Sequence, residues 1–470
     1  MKQVFFIVFI WIWAMVSLQG QVHISTTFPA HARQAVTLSV YEGFQLKQVA
    51  ETTADSAGNF ILTAPSGYRG VVLLQANKAA GIEVVVMQDN DFSLKGTILS
   101  DLEHLTCTGN DATATLYTYY KQQVACEKAL AGWRYLAKVY ADDAYLKKYK
   151  KTLLLAKEIA ALEKERPAFI QALPAASYLR WYLPLISFVR DMPVAVQRNP
   201  EQIPQLKQQF MGLDFSDERL YRSGLLPVLT ENYFFLLENS GGGSLDSVYV
   251  AMNRSTDYML STLQAKRPAW LQETSLFLFN MFEKRSLFTA AEHVSQVMLT
   301  QNSCVLDSKV SARFESYRAM KRGNRAPDID FTRAVAVQKE KHDEMLSGYL
   351  KGYASLSAIP AKYKLVVFGF AECPECEVQI PQLKQMYPNL QQHGVEVVYV
   401  SLDTEKNKFE AVAADKPWVS YFDYAGWDSA PATAYHVFAS PTMFLLGEKQ
   451  EILYKVLNPQ HLDAILNILK

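Results

Sequence analysis

Two cysteines separated by two residues are the strongest chemical signal in this chain. Cys373 and Cys376 lie within the segment FGFAECPECEVQIP, residues 368–381. Such a pair can be a redox dithiol, half of a zinc site, or two ordinary buried thiols. Zinc requires four ligands, and the chain has no second Cys-x-x-Cys and no histidine pair at helical spacing. We therefore expect no metal at this site.

The sequence around the pair favours redox chemistry. The preceding run YKLVVFGF has the apolar character of a buried strand, and a helix is predicted from the cysteines through about Gln392. At a helix N-terminus, backbone N–H groups and the helix dipole stabilise an anion, so the first cysteine can become a thiolate. Cys373 is then the nucleophile, and Cys376 is the resolving thiol that attacks a mixed disulfide.

The region that must position this pair alternates strands and helices. After the first helix come the strand VEVVYVSLD, a polar helix predicted over 404–416, and a hairpin turning at 447–449. Asn458 is a suitable N-cap for a last helix, with Pro459 at its first position. This order predicts an α/β domain over 326–470, with a mixed sheet and helices on its faces. The segment KRGNRAPDIDF, 321–331, is predicted to be a linker before it.

The middle of the chain, 101–325, has helical periodicity and is predicted to be an all-α domain. Leu155, Ile159 and Leu162 fall on one helix face, and Pro167 is predicted to end that helix. The glycines in ENSGGGSLDS lack the Gly-Lys-Ser/Thr of a phosphate-binding loop and predict a flexible loop. Aromatic residues recur through the first helices, and packing between helices is favoured over a ligand-binding surface: Tyr117, Tyr120, Trp133, Tyr135, Tyr140, Tyr145 and Tyr149.

The first region, 22–100, predicts a small antiparallel β-sandwich. Short strand-like runs alternate with Gly- or Asp-rich turns, and Val36, Leu38 and Val40 fall on one face of a strand. His23 and His31 stand alone and are interpreted as surface histidines. No catalytic constellation is visible in this region.

Residues 1–20 have the layout of a secretory signal peptide. A lysine at position 2 precedes an apolar run from Val4 to Leu18, and small or polar residues end at Gly20. An uncleaved membrane anchor is the alternative, although a span needs about 20 apolar residues. We expect export, and a protein of the periplasm or cell envelope of a bacterium.

The composition indicates a folded chain of roughly three domains. Of its 470 residues, 49% are hydrophobic and 20% are charged. Lys plus Arg and Asp plus Glu both number 47, which argues against nucleic acid as the main partner. Cys107, Cys126 and Cys304 are interpreted as small buried hydrophobic residues, with a Cys107–Cys126 bridge as an alternative.

Residues 326–470 resemble a thioredoxin-fold domain of the exported thiol-disulfide oxidoreductase type, the TlpA and ResA-like group. The matching pieces are APDIDF, KLVVFGFAECPEC, Pro381 within the helix, VYVSLD and YHVFASPTMFLL. The resemblance implies a cis peptide bond before Pro441, and implies that Ser440 and Pro441 line the substrate groove beside the cysteines. The first two regions resemble segments that precede such domains in some secreted proteins of Bacteroidetes type.

The chain departs from the family pattern around the cysteines. Glu372 replaces the usual Trp, Val367 replaces the buried acid of thioredoxins, and Gln379 replaces a glutamate of several exported relatives. The usual proton acceptors for the resolving thiol are therefore missing, unless Glu372 or Glu375 substitutes from the surface.

Three acids around the pair predict a reducing protein, because negative neighbours disfavour the thiolate. They are Glu372, Glu375 and Glu377. Strong oxidants owe their potential to a stable thiolate, so we expect a value nearer about −250 mV than about −120 mV.

Together these features predict an exported thiol-disulfide oxidoreductase that reduces disulfides of other extracytoplasmic proteins. Its partners are protein thiols and disulfides and a membrane electron donor, and its redox-active group is the Cys373–Cys376 disulfide, with no other cofactor. An oxidase or isomerase remains open within the same class. A non-catalytic scaffold protein of the cell envelope with a thioredoxin-like module is the alternative of a different class.

Overall fold

The structure is a computed structural model that describes residues 21–77, 81–240, 244–285, 287–301 and 303–468. The predicted signal segment, 1–20, and the three glycines at 241–243 lie outside these ranges. Within them, no helix combines the length and the apolar character that a membrane span requires.

The chain forms two compact units. The first comprises the described residues up to Val248 together with Ala265–Trp270, and the second comprises Tyr249–Gln264 and the described residues from Leu271 onward. The helical region predicted as one domain at 101–325 is therefore divided between the two units.

Eight strands of the first unit form two facing four-stranded sheets. The first has the order β4-β1-β7-β8 and the second β3-β2-β5-β6. Val36, Leu38 and Val40 are buried between them, as predicted. The strands are β1 Val22–Thr27, β2 Ala35–Glu42, β3 Gln45–Thr53, β4 Asn59–Ala64, β5 Gly70–Ala76, β6 Ile82–Val86, β7 Phe92–Lys95 and β8 Thr106–Thr108.

The prediction of an entirely antiparallel sandwich is wrong for one strand pair. β1 and β7 pair in parallel, with Ile24 opposite Phe92 and Thr27 opposite Lys95. The chain builds the second sheet before β7 returns to the first, and such a long connection permits a parallel pair. β8 extends this sheet beyond residue 100.

Six helices follow in the first unit, and the first of them packs on the sandwich. The Asn110 side chain caps α1, and the Tyr117 and Tyr120 hydroxyls donate to the carbonyl and the carboxylate of Glu83. Burial raises the pKa of Glu83. The helices are α1 Asp111–Asp142, α2 Thr152–Ala172, α3 Tyr178–Arg198, α4 Ile203–Phe210, α5 Glu218–Tyr221 and α6 Leu226–Glu238.

Two predictions about this helical region are wrong. α2 continues through Pro167 to Ala172, because a proline removes one hydrogen bond and packing against α1 and α3 can outweigh that loss. Tyr135, Tyr145 and Tyr149 do not pack between helices: Tyr135 is 69% exposed, and the other two contact each other at the surface.

The three isolated cysteines are less buried than predicted. Cys107 and Cys126 are half-buried, Cys304 is exposed, and all three are free thiols. The Cys107 thiol donates to the carbonyl of Asn110 rather than bridging to Cys126. His31, predicted at the surface, is buried and accepts from the N–H of Leu99 through Nε2.

The second unit contains a five-stranded mixed sheet of order β11-β10-β9-β12-β13. β9, β10 and β11 are parallel, and β12 and β13 are antiparallel to their neighbours. The strands are β9 Tyr363–Gly369, β10 Val395–Ser401, β11 Val419–Tyr421, β12 Thr442–Leu446 and β13 Ile452–Val456. The predicted α/β architecture is confirmed.

Helices cover both faces of this sheet and precede it. α12 and α15 pack on one face, through Ile380, Leu383 and Leu462, and α11 and α14 pack on the other, through Ala334 and Ala432. The helices are α7 Leu245–Lys266, α8 Leu271–Lys284, α9 Phe288–Gln301, α10 Ser308–Ala319, α11 Phe331–Glu340, α12 Pro374–Gln392, α13 Lys406–Ala413, α14 Ala430–Ala434 and α15 Pro459–Ile468.

The segment 321–331 is not a free linker. The Gly323 N–H donates to the carbonyl of Ile452, and the Ala326 N–H donates to the carbonyl of Gln450. The segment thereby joins the end of the β12–β13 hairpin, and Ile329 enters the core. The charges and turn residues of this segment are typical of a loop. They carry no signal for its backbone hydrogen bonds to the β12–β13 hairpin.

Candidate functional site

Cys373 lies where the sequence placed it, at the start of α12. β9 ends at Gly369, Cys373 is the N-cap residue, and Pro374 occupies the first turn, where a missing N–H costs nothing. The Cys373 sulfur accepts a hydrogen bond from the Cys376 N–H at 3.2 Å. A thiolate at this position is therefore stabilised by a backbone donor.

The Cys373 thiol is enclosed in this dithiol form. Only 3% of the residue is exposed, and its S–H donates to the Ser440 carbonyl oxygen at 3.5 Å. Any molecule that reaches the Cys373 sulfur must displace that contact, so the loop that carries Ser440 limits access to this sulfur.

Cys376 lies beneath Cys373 in a more apolar environment. Its sulfur is 3.1 Å from Ser440 Oγ, and its side chain belongs to the core formed with Ile380 and Tyr399. Burial, and then the hydrogen bond with Cys373, raise the pKa of Cys376 to about 12. A thiol of this kind is a poor nucleophile on its own. The resolving role of Cys376 remains a prediction.

The loop opposite the cysteines contains the predicted cis bond. The Ser440–Pro441 peptide is cis, and β12 begins at the next residue, Thr442. The Thr442 hydroxyl donates to the Ala439 carbonyl at 2.7 Å and closes the turn. Ser440 thus contacts both cysteine sulfurs, through its carbonyl and its hydroxyl. That Ser440 and Pro441 bind substrate remains a prediction.

Two of the three acids around the pair have partners that the sequence did not indicate. Glu372 is exposed and pairs with Lys408 of α13 at 3.1 Å. Glu375 accepts a weak hydrogen bond from Gln379 at 3.4 Å. Since Lys408 partly neutralises Glu372, the negative field on Cys373 is weaker than three uncompensated carboxylates would produce.

A buried carboxylate that the sequence reasoning missed lies at the end of β10. Asp403 is buried, accepts from the Ala371 N–H at 3.0 Å, and accepts from the Ser401 hydroxyl at 2.8 Å. It therefore holds the loop that leads into Cys373. The segment VYVSLD contains Asp403, and a polar residue at the carboxyl end of a buried parallel strand was the available signal.

Tyr399 is the second group that the sequence reasoning missed. Its hydroxyl is buried and makes no hydrogen bond to the described residues. Burial, and then the carboxylate of Asp403, raise its pKa well above 10. A Cβ on Gly369 would lie 3.3 Å from both the Tyr399 hydroxyl and the Cys376 sulfur, so a small gap separates these two groups. Val367, at the position of the missing acid, is apolar and buried.

The described residues contain no group of three or more His, Cys, Asp or Glu side chains that could hold a metal ion. What the site contains is a dithiol, a helix N-terminus and a cis-proline loop.

Residues 361–452 match a family model described as thioredoxin-like. The C-terminal region is a thioredoxin-like domain. The match includes β9, the two cysteines, Asp403 and the cis-proline loop of this domain, and it ends at the start of β13. No curated protein matches the chain.

Three solved structures are similar to parts of the chain. A thioredoxin-like protein from Bacteroides caccae is 15% identical, covers 57% of this chain and 94% of its own, and has a TM-score of 0.42. The thioredoxin domain of a thiol-disulfide oxidoreductase from Bacteroides vulgatus is 22% identical and has a TM-score of 0.26. The alignment covers 32% of this chain and 99% of that structure. A thiol:disulfide interchange protein from Bacteroides sp. is 22% identical and has a TM-score of 0.25. The alignment covers 32% of this chain and 91% of that structure.

Proposed function

We propose that this protein is an exported thiol-disulfide oxidoreductase that reduces disulfides of other extracytoplasmic proteins. The observation that carries the proposal is the placement of Cys373 at the N-cap of α12, with Cys376 beneath it and the cis Ser440–Pro441 loop opposite. The thioredoxin-like family match supports the same class of chemistry.

The reaction needs two exchange steps. The Cys373 thiolate attacks one sulfur of the substrate disulfide, that disulfide breaks, and the released substrate thiolate takes a proton from water. Cys376 then loses its proton and attacks the Cys373 sulfur, which releases the second substrate thiolate and leaves a Cys373–Cys376 disulfide. Two electrons pass from the cysteine pair to the substrate. A membrane dithiol donor would then return the pair to the reduced form.

Trapping the mixed disulfide tests this proposal. A Cys376→Ala protein can complete the first step and not the second, so it should remain covalently bound to its substrates in cells. Cys304→Ala is the matched control, because it removes an exposed cysteine outside the site. A ladder of thiol-sensitive adducts with Cys376→Ala, absent with Cys304→Ala and with Cys373→Ala/Cys376→Ala, is the expected result.

The proposal also specifies that the protein acts as a reductant, with a reducing potential. With Lys408 opposing one of the three acids, we keep the expected potential near about −250 mV. Equilibration of the purified protein with glutathione measures it. A value more oxidising than about −180 mV would instead favour an oxidase, which should also show a Cys373 thiolate well below pH 6 when alkylation is followed against pH.

Export is proposed from residues 1–20 alone. Fractionation of cells that produce the full chain, combined with N-terminal sequencing of the product, tests it. A product that begins just after Gly20 in the extracytoplasmic fraction is expected, whereas an intact cytoplasmic chain would contradict export.

A scaffold function is the second candidate, and one observation favours it. The end of the α1–α2 hairpin carries exposed apolar side chains, among them Tyr135, Tyr145 and Leu153. Surfaces of this kind can bind a partner protein. Cells in which Cys376→Ala traps nothing, while the wild-type chain still co-purifies with an envelope component, would support the scaffold over the enzyme.

A further inference from the structure

A groove of about 720 Å³ borders the cis-proline loop on the side of the preceding helices. One wall is the loop itself, including Phe438 and Ala439, and the other is α10, including Lys309, Ala312 and Arg313. All of these residues belong to the second compact unit. The α10 wall lies outside the segment 361–452 that matches the thioredoxin-like family.

The groove lies one residue along the loop from the group that contacts Cys373. Ala439 precedes Ser440, whose carbonyl oxygen is 3.5 Å from the Cys373 sulfur. An extended chain advances about 3.3 Å per residue, so Phe438 corresponds to a position about two residues from a bound substrate cysteine. Ala439 and Phe438 line the groove and directly precede Ser440 in the loop, so a polypeptide that reaches Cys373 along this loop passes beside the groove.

The far wall is held by packed and charged contacts. Arg313 donates to the Glu283 carboxylate at 2.6 Å, and its guanidinium lies 5.3 Å from the centre of the Phe438 ring. Tyr317 also donates to Glu283, and its ring lies 6.5 Å from Phe438. Phe438 is nevertheless 45% exposed. The contacts fix this aromatic ring in place and leave one side of it open to the groove.

The charges that line the groove favour an acidic occupant. Lys309 and Arg313 are cations and Glu283 is the one acid among the lining residues, which leaves an excess of one positive charge. Arg313 is already paired with Glu283, so Lys309 is the available cation. Asp307, the acid closest to Lys309 in sequence, is exposed, caps α10 by accepting from the Val310 N–H at 2.9 Å, and also attracts the Lys309 cation electrostatically.

We propose that this groove binds the polypeptide substrate on one side of its reacting cysteine, and selects an extended segment with an apolar residue and an acidic residue about two positions from that cysteine. The apolar side chain packs on Phe438 and Ala312, and the carboxylate approaches Lys309. This inference rests on the proposed function and names the substrate chemistry that the function leaves open.

Two peptides test it. Each carries one cysteine, linked by a disulfide to thionitrobenzoate, with Leu two positions away and either Glu or Lys three positions away on both sides. Attack of Cys373 on the peptide sulfur releases the coloured thiol. The wild-type protein should react with the Glu peptide about threefold faster than with the Lys peptide, as expected for one exposed charge pair.

Three variants connect this preference to the groove. Lys309→Glu should abolish or reverse the preference, whereas the matched control Lys339→Glu, on the exposed side of α11, should leave it unchanged. Ala312→Trp fills the groove from an exposed position and should slow both peptides about tenfold. Neutral hydroxyethyl disulfide, which is too small to occupy the groove, should be reduced equally by all of these proteins.

The outcomes separate this inference from the proposed function. A preference that survives Lys309→Glu, or that changes equally with Lys339→Glu, overturns the groove and leaves the oxidoreductase standing. Failure of the wild-type protein to reduce hydroxyethyl disulfide overturns the oxidoreductase. In that case, fluorescence anisotropy with serine analogues of the two peptides still decides the groove, because weaker binding of the Glu peptide to Lys309→Glu is expected without any redox step.

Discussion

The two cysteines of the pair differ in their surroundings although both lie at the first turn of α12. Cys373 has a backbone donor for its thiolate, whereas Cys376 is enclosed among apolar side chains that raise its pKa to about 12. The Ser440 hydroxyl opposes this effect, because a hydrogen bond to the thiolate lowers the pKa of Cys376. Resolution of the mixed disulfide therefore depends on the few polar groups around Cys376.

Ser440→Ala should slow resolution. Loss of one hydrogen bond of about 1 kcal/mol to the thiolate raises the pKa of Cys376 further, and the rate of mixed-disulfide resolution at pH 7 should fall about fivefold. Stopped-flow fluorescence measures this rate. Alkylation of Cys373 in the Cys376→Ala background is the control and should not change. An unaltered resolution rate would remove Ser440 from the mechanism.

Tyr399→Phe should change both stability and rate. The variant removes a buried hydroxyl without a partner among the described residues, so the free energy of unfolding should rise by about 1 kcal/mol. Resolution should slow about threefold, because the hydroxyl and the Cys376 sulfur both lie 3.3 Å from one point beside Gly369, and at this range the hydroxyl dipole can stabilise the Cys376 thiolate. Urea unfolding and the same stopped-flow assay measure the two effects. A gain in stability with no loss of rate would assign the hydroxyl no role in catalysis.

At the scale of elements, three segments converge on the start of α12. β9 ends beside it, the turn after β10 holds Ala371 through Asp403, and α13 supplies Lys408 to Glu372. The redox site is thus supported by polar contacts from elements that are distant in sequence. A second polar cluster lies near β13, where Glu292 of α9 and Lys455 are both half-buried.

Lys408→Ala should make the protein more reducing. Without its cation, Glu372 acts more strongly on Cys373 and disfavours the thiolate. One exposed ion pair has a small effect, and we expect a shift of about 10 mV toward more negative potential. Glutathione equilibration measures the shift. Lys339→Ala provides a control cation on α11, and a shift in the positive direction for Lys408→Ala would contradict the electrostatic argument.

Glu292→Gln should remove a pH-dependent cost in stability. Burial raises the pKa of Glu292 from 4.5 to about 7, against the opposing charges of Lys321 and Lys455. The folded state thus binds a proton at Glu292 more tightly than the unfolded state does. The protonated Glu292 carries no stability cost below about pH 4.5, and the folded state loses stability as the pH rises through 7.

The variant should equal the wild type near pH 4 and exceed it by about 2 kcal/mol at pH 8. Urea unfolding at both values measures the difference. A constant difference across this range would mean that packing or hydrogen bonding at Glu292 matters more than its charge.

At the scale of the whole molecule, the helical region divides between the two compact units. α8, α9 and α10 belong to the same compact unit as the thioredoxin-like domain, and the cation of Lys455 lies 4.1 Å from the ring centre of Tyr317. A domain boundary at residue 325 would cut through these contacts. The redox domain is therefore completed by helices that precede its own fold.

A fragment that begins at Ala326 should be less stable than one that begins at Tyr249. The shorter fragment loses Glu283 and Tyr317 from around Lys455 and exposes apolar surface of β12 and β13, so its melting temperature should be lower by about 5 °C or more. Thermal unfolding followed by circular dichroism measures this. Equal melting temperatures would show that α8–α10 do not contribute to the stability of the redox domain.

Local sequence patterns were sufficient for the start of α12, the cap at Asn458, the strands of the sandwich and the cis peptide implied by the family motif. These features depend on residues that are neighbours in the chain. Three other predictions depended on local rules that tertiary packing overrides: the end of α2 at Pro167, burial of the aromatic residues around Tyr145, and a free linker at 321–331.

The sequence alone determined that the chain contains a Cys-x-x-Cys pair at a helix start in an α/β domain, because spacing, apolar runs and capping residues specify those features locally. Only the tertiary structure decided which groups surround the pair. Asp403, Tyr399, Lys408 and Ser440 lie from 26 to 67 positions after Cys373 in the sequence. Their proximity arises from the parallel pairing of β9 with β10 and the return of β12 beside β9, and such long-range contacts leave no periodic signal in the sequence.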